Sequence, residues 1–164
     1  MTKILSVASE CAPLVKTGGL ADVVGALPAA LAAEGDEMKT LIPGYPSVMA
    51  QVKASKPVAM LEGLFGGPAK VVAAKIAALD LLILDAPHLF DRPGGPYIDA
   101  NGRDWADNPE RFAALCFAAA HVAGEGAGGW RPDVVHGHDW QAGLVPEYLH
   151  AMGSDVPFMF TVHN

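Results

Sequence analysis

An α/β domain with a mostly parallel, doubly wound sheet is the fold this sequence predicts, and three observations predict it. Short apolar runs alternate with longer amphipathic stretches at both ends of the chain, the pattern of strand–helix–strand units with right-handed crossovers. The middle breaks that alternation, with apolar runs that no long helix separates. Length and composition agree: 164 residues, 51% hydrophobic and 18% charged, supply the core of one domain without disulfides or metals.

Ile4-Leu5-Ser6-Val7-Ala8 reads as a buried strand. Lys3 and the apolar residues after it superficially resemble a signal peptide, but Glu10 interrupts the run. A helix follows from about Leu20, where Leu20, Val23, Val24, Leu27 and Leu31 make one apolar face. Pro28 removes one hydrogen bond and predicts a kink, and Gly35 is placed to end the helix. Lys39-Thr40-Leu41-Ile42 is a second strand, stopped by Pro43-Gly44. Between Val58 and Leu84, Val71 to Ala74 and Leu81 to Leu84 read as strands, with antiparallel pairing expected. Ala86 to Asn108 is loop-like, and a loop that long inside a compact domain is functional or mobile.

Asp107 or Asn108 then caps a helix whose first turn holds Pro109 and Glu110. Phe112, Leu115, Cys116, Ala119 and Val122 form its core arc; Glu110, Arg111, His121 and Glu125 form the other. Asp133 to His136 is a strand, Trp140 to Met152 a helix, and Phe158 to Val162 an interior apolar strand.

Eleven Lys and Arg against eighteen Asp and Glu leave a net charge of −7, and no basic patch is concentrated locally. Nucleic-acid and anionic-membrane partners are therefore not expected. The uncharged stretch from Phe112 to Gly124 is too short to span a bilayer. Cys11 and Cys116 are expected to be reduced thiols in a cytoplasmic protein.

Ligands of such sheets bind beyond the carboxyl ends of the strands. Lys16-Thr17-Gly18-Gly19, the His138-Asp139 turn and His163-Asn164 all fall at that edge. Lys16-Thr17-Gly18-Gly19 matches neither the nucleoside-triphosphate loop nor the dinucleotide fingerprint. Its glycines admit close backbone approach, a helix N-terminus follows, and a cation stands beside it. Spacing alone leaves phosphate binding and an ordinary glycine turn both open. Asp22, in the first helical turn, suits the helix dipole or a ligand hydroxyl equally. His136 and His138 share a strand face, so with Asp139 they suggest a metal site, although no second ligand cluster supports it. Tyr97 is either a surface aromatic or a platform for a sugar ring.

Together these residues resemble one family, the bacterial glycogen synthases and plant starch synthases. The matching segments are Ser9-Glu10, Lys16 to Pro28 (KTGGLADVVGALP), Leu41 to Pro46, Gly95-Pro96-Tyr97, Asp107-Asn108 with Arg111-Phe112, His136 to Trp140, and Thr161 to Asn164. They run from end to end of the chain. The resemblance implies a retaining GT-B glycosyltransferase with two Rossmann-like domains. The donor would be ADP-glucose, or alternatively UDP-glucose, and the acceptor glycogen or another α-1,4-glucan. No cofactor or metal is implied. It further implies that Lys16, Gly18 and Gly19 contact the donor, with Asp22 on the same side of the cleft. Tyr97 would line the sugar or acceptor pocket. Asp139 and His163 would be catalytic, with Asn164 binding beside them.

Family members are much longer. Residues 1–164 would then be an incomplete N-terminal catalytic domain, expected to have no turnover alone because the C-terminal nucleotide-binding domain is absent. The competing readings are a metal-dependent hydrolase built on His136, His138 and Asp139, and a non-catalytic glucan-binding module.

Overall fold

A computed structural model describes residues 1–53 and 55–164. The first apolar run is β1 (Lys3–Val7), and the helix after the glycine pair is α1 (Gly19–Ala33). Gly35 ends that helix at φ 92°, a conformation that favours glycine. β2 (Glu37–Pro43) and a short α2 (Pro46–Met49) follow. The middle of the chain is β3 (Pro57–Leu64), β4 (Gly67–Ile76) and β5 (Leu79–Asp85). After α3 (Pro87–Phe90) come α4 (Asn108–Glu125), β6 (Val134–His138), a 3-10 turn over Trp140–Ala142, α5 (Val145–Ala151) and β7 (Phe158–Thr161).

All seven strands join one sheet in the order β3-β4-β5-β2-β1-β6-β7. β5, β2, β1, β6 and β7 run parallel, while β3, β4 and β5 are antiparallel, as the missing helices implied. The chain leaves β1 toward β2 through α1 and returns on its other side at β6 through α4. The point where the order reverses is therefore the β1/β6 crevice, the place where such sheets bind ligands. Leu5, Val7, Leu41, Leu81, Ile83 and Leu115 are fully enclosed in the core.

Four expectations are corrected. Arg111, assigned to the solvent arc of α4, is 1% exposed. Its guanidinium donates to the carbonyls of Leu89 (2.7 Å) and Pro96 (2.8 Å) and to Asn108 Oδ1 (2.8 Å). It also lies 5.1 Å from the Phe90 ring centre. Helical periodicity could not show this, because the long loop before α4 folds back over that face.

Asp107 occupies the N-cap position of α4 without capping it; its carboxylate takes the Arg92 guanidinium instead. The helix expected from Trp140 to Met152 is broken, since Pro146 stands in the first turn of α5 and starts a new helix there. Finally, β7 pairs only with β6, leaving Met159 and Phe160 about half exposed, so it is an edge strand among the described residues.

The hairpin between β4 and β5 turns at Ala77 (φ 49°) and Ala78 (φ 64°), both left-handed. Non-glycine residues there cost about 1–2 kcal/mol each. Ala78→Gly is expected to raise stability by about 0.5–1 kcal/mol after the extra unfolded-state entropy of glycine is deducted. Gly25 has the opposite logic: a Cβ there would meet the Ala12 carbonyl oxygen at 2.4 Å. Gly25→Ala is expected to destabilise by about 1–3 kcal/mol despite alanine's better helix propensity. Urea unfolding midpoints check both signs.

Candidate active site at the β1/β6 crevice

β1 runs on into Ala8-Ser9-Glu10, all buried. The buried Glu10 carboxylate accepts the Thr17 amide, the Thr17 hydroxyl and the Tyr97 hydroxyl. Because the Tyr97 hydrogen goes to Glu10, the Ser9 hydroxyl donates to the Tyr97 oxygen at 2.7 Å. Burial, and then the bond to Glu10, push the Tyr97 pKa up, so the phenol keeps its proton. Its ring leans on Phe112, with centres 5.8 Å apart. Tyr97 is thus a half-buried brace whose hydroxyl is spoken for.

β6 ends in Gly137-His138, and Asp139 follows it. A Cβ on Gly137 would strike the Phe158 ring at 2.7 Å, so β7 packs here because no side chain intervenes. Asp139 sits at φ 60°, ψ −178°, a strained conformation for a residue with a side chain. Its carboxylate accepts the amides of His163 (2.7 Å) and Asn164 (3.3 Å) and the Asn164 side chain (3.0 Å). Behind it, His138 is fully buried between Ser6 Oγ (3.1 Å from Nε2) and His163 Nε2 (3.0 Å from Nδ1). His136 bonds Thr161 Oγ1 through Nε2 at 2.8 Å.

These groups surround a cavity of about 510 Å³. Gly18, Gly19, Tyr97, Asp139, His163 and Asn164 line it, as the sequence anticipated, together with Glu10, Thr17, Leu20, Val23, Trp140 and Gln141. Lys16 and Asp22 are not part of that lining. They pair with each other at 2.7 Å, each more than half exposed. Glu10 was visible in a matching segment, but its part in the site was not, because its partners are remote in sequence. Val23, expected on the apolar face of α1, is exposed into the cavity instead. A larger hollow of about 760 Å³ lies beside Asp133 and Pro157, before β6 and β7, at the edge where such sheets do not bind ligands.

The glycine pair has a clear reading. Neither Gly18 nor Gly19 has a positive φ, and a Cβ on either would meet nothing within 4 Å. Backbone strain and packing therefore do not call for glycine here. What the missing side chains keep open is the approach to the N-terminus of α1, where backbone N–H groups lack helical partners.

The metal reading is not supported. His138 spends both ring nitrogens on protein partners, and no group of three or more His, Cys, Asp or Glu is placed to hold an ion among the described residues.

Burial, then His136 and His163, push the His138 pKa down from 6.5 to about 3, with Asp139 acting the other way. His136 is pushed down as well, by burial first. An unfolded histidine takes a proton near pH 6.5, whereas folded His138 does so only near pH 3. Its contribution is therefore whole above pH 6.5 and is lost as the pH falls from there toward 3, at a slope approaching about 1.4 kcal/mol per pH unit. Urea unfolding from about pH 7 to about pH 4.5 should show a shallower acid loss in His138→Asn than in the parent, and equal slopes would refute the assignment.

Comparison with known proteins supplies the family. Residues 3–164 match the family model described as the starch synthase catalytic domain. The chain is 70% identical over its whole length to the glycogen synthase of Jannaschia sp. (strain CCS1), covering 34% of that protein. It is 59% identical to the glycogen synthase of Paracoccus denitrificans (strain Pd 1222), covering all of this chain and 35% of that one. The catalytic domain of starch synthase IV from Arabidopsis thaliana, solved bound to ADP and acarbose, superposes with a TM-score of 0.75 at 28% identity, over 99% of this chain and 34% of that one. The chain thus spans about a third of the length of the curated relatives it matches. A match over nearly every residue, joined to a mostly parallel sheet with its crevice at β1/β6, settles the family: the chain belongs to that of the starch synthase catalytic domain.

Proposed function

We propose that this chain is the N-terminal part of a retaining glucosyltransferase that moves glucose from ADP-glucose to the non-reducing end of an α-1,4-glucan. Glycogen is the acceptor, and the enzyme acts in the cytoplasm. The observation that carries the reading is the open ground over Gly18 and Gly19, facing His163 and Asn164 across one cavity. The names of the relatives support it, as does a structural neighbour holding ADP and acarbose. No described helix is long and apolar enough to cross a membrane.

Departure of the diphosphate leaves negative charge on the leaving group and positive charge at the anomeric carbon. Preorganised donors must meet the first, and carbonyl or carboxylate dipoles the second. The Gly18-Gly19 backbone and His163 supply donors on this side. Asp139 fixes His163 and Asn164 against the sugar, and Tyr97 closes the wall. Lys16 adds a cation beside the loop once a ligand oxygen displaces Asp22; an exposed pair of this kind is worth only about 0–1 kcal/mol, so the exchange is inexpensive. Asp22 stays on the donor side of the cleft.

None of the residues lining the cavity is Lys or Arg among the described residues. A diphosphate needs further cations, which the second, C-terminal domain supplies; residues 1–164 alone are an incomplete catalytic domain.

Glucose incorporation into glycogen by a full-length protein carrying this segment is the test. Activity with ADP-glucose is expected to exceed that with UDP-glucose. Gly19→Val is expected to lower kcat/KM by about 100-fold or more, because the side chain occupies the donor's approach. Turnover by the 164 residues alone would refute the claim of an incomplete site, and hydrolysis dependent on stoichiometric zinc would replace the reading with a metallohydrolase.

A further inference from the structure

His138 is the most deeply enclosed ionisable group near the cavity, yet it does not line it. The groups around it come from three places. Ser6 faces it from β1, His136 on β6 and Asp139 just after β6 flank it, and His163 approaches from the segment after β7. The rings of His136 and His138 lie with centres 4.1 Å apart, and those of His138 and His163 5.3 Å apart.

Hydrogen accounting decides which atoms carry protons. Ser6 is fully buried, and the sole partner of its hydroxyl among the described residues is His138 Nε2. A buried hydroxyl hydrogen left without an acceptor is costly, so that hydrogen belongs in the bond to Nε2. Nε2 is then the acceptor nitrogen of a neutral imidazole, and the ring proton resides on Nδ1. His138 Nδ1–H must donate to the nitrogen 3.0 Å away, His163 Nε2. With Nε2 of His163 accepting, a neutral His163 carries its own proton on Nδ1. No protein partner takes that nitrogen among the described residues, and His163 lines the cavity. The lowered pKa of His138 fits the same arrangement, since a cationic His138 would donate from both nitrogens and strand the Ser6 hydrogen.

We propose that Ser6 and His138 are positioning residues that lock His163 in its Nδ1–H tautomer, so that the site presents an uncharged N–H donor to a ligand oxygen. Neither residue touches the ligand. Their effect passes along one chain of hydrogen bonds, from the Ser6 hydroxyl through the His138 ring to His163. That the receiving oxygen is a sugar hydroxyl or a phosphate oxygen rests on the glucosyltransferase reading; the tautomer does not.

The experiment is long-range nitrogen–proton correlation NMR on the chain labelled with nitrogen-15 in histidine, at neutral pH and without ligand. His138 and His163 are both expected as neutral Nδ1–H tautomers, although Nε2–H is the usual preference of free imidazole. In Ser6→Ala the constraint on His138 Nε2 is gone, and the Nδ1–H signature of His163 should be lost or averaged with the other tautomer. Ser6→Thr, which restores a hydroxyl, should keep it. His163 as Nε2–H in the parent, a cationic His138, or tautomers unchanged in Ser6→Ala would each overturn the proposal. The parent spectrum decides even if a variant misfolds. Failure of glucose transfer in the activity assay leaves this result untouched, so the two readings fail separately.

Discussion

Asp139 is held at φ 60°, where a side chain is strained, and the structure around it explains why a carboxylate occupies the position. Three N–H groups of His163 and Asn164 converge on its two oxygens. Those residues follow an edge strand that has no neighbour on its outer side among the described residues, so the sheet alone does not fix their course. The turn at Asp139 aims the carboxylate across the end of β7. Gly137, two residues earlier, lets Phe158 close against the same strand. Everything on the β6 side of the cavity, including the His138–His163 contact, depends on this clamp.

The β1 side is braced differently, through two buried charges that do not meet. Arg111 is held by two carbonyls, an amide oxygen and aromatic rings, and among the described residues it has no carboxylate partner in its bonds. Its bond to the Pro96 carbonyl fixes the residue before Tyr97. Tyr97 in turn donates to Glu10, which holds Thr17 at the entrance of the glycine pair. A direct buried ion pair would give little net stability. Separate satisfaction of each charge instead spreads a rigid path from α4 to the loop over α1, about the two residues whose missing side chains leave the cavity open.

This division also accounts for what could be read in advance. Apolar runs and their spacing located the parallel strands, α1 and α4, because burial of one face imposes its period on the sequence. Gly18, Gly19, Asp139, His163 and Asn164 were placed at one edge by topology alone, since strand ends of a parallel sheet share that edge, whereas Tyr97, in a loop, joined them only through the family resemblance. The β4–β5 turn carried no glycine or asparagine signal, because Ala77 and Ala78 take positive φ themselves. Arg111 was misassigned because its burial is set by residues 89–96, the end of the one-turn α3 and the loop after it, which have no period to read. The Lys16–Asp22 pair was not legible either, because spacing cannot show that two side chains six residues apart meet.

The charge of the cavity then constrains how the site works. Its lining offers the carboxylates of Glu10 and Asp139 and, among the described residues, no Lys or Arg. Each carboxylate already accepts three donors, so most of its lone-pair capacity is spent on holding the geometry of the site. The donors left for recognition are neutral: backbone N–H groups at the start of α1, the Asn164 amide and the ring of His163. Neutral donors discriminate hydroxyl-bearing ligands by the cost of leaving a bond unmade, and they add no long-range attraction for anions. A surface of this kind orients a sugar well and holds a diphosphate poorly. On the proposed glucosyltransferase reading, the wall built by β1, α1 and β6 therefore orients the sugar and offers the diphosphate only the neutral donors at the start of α1.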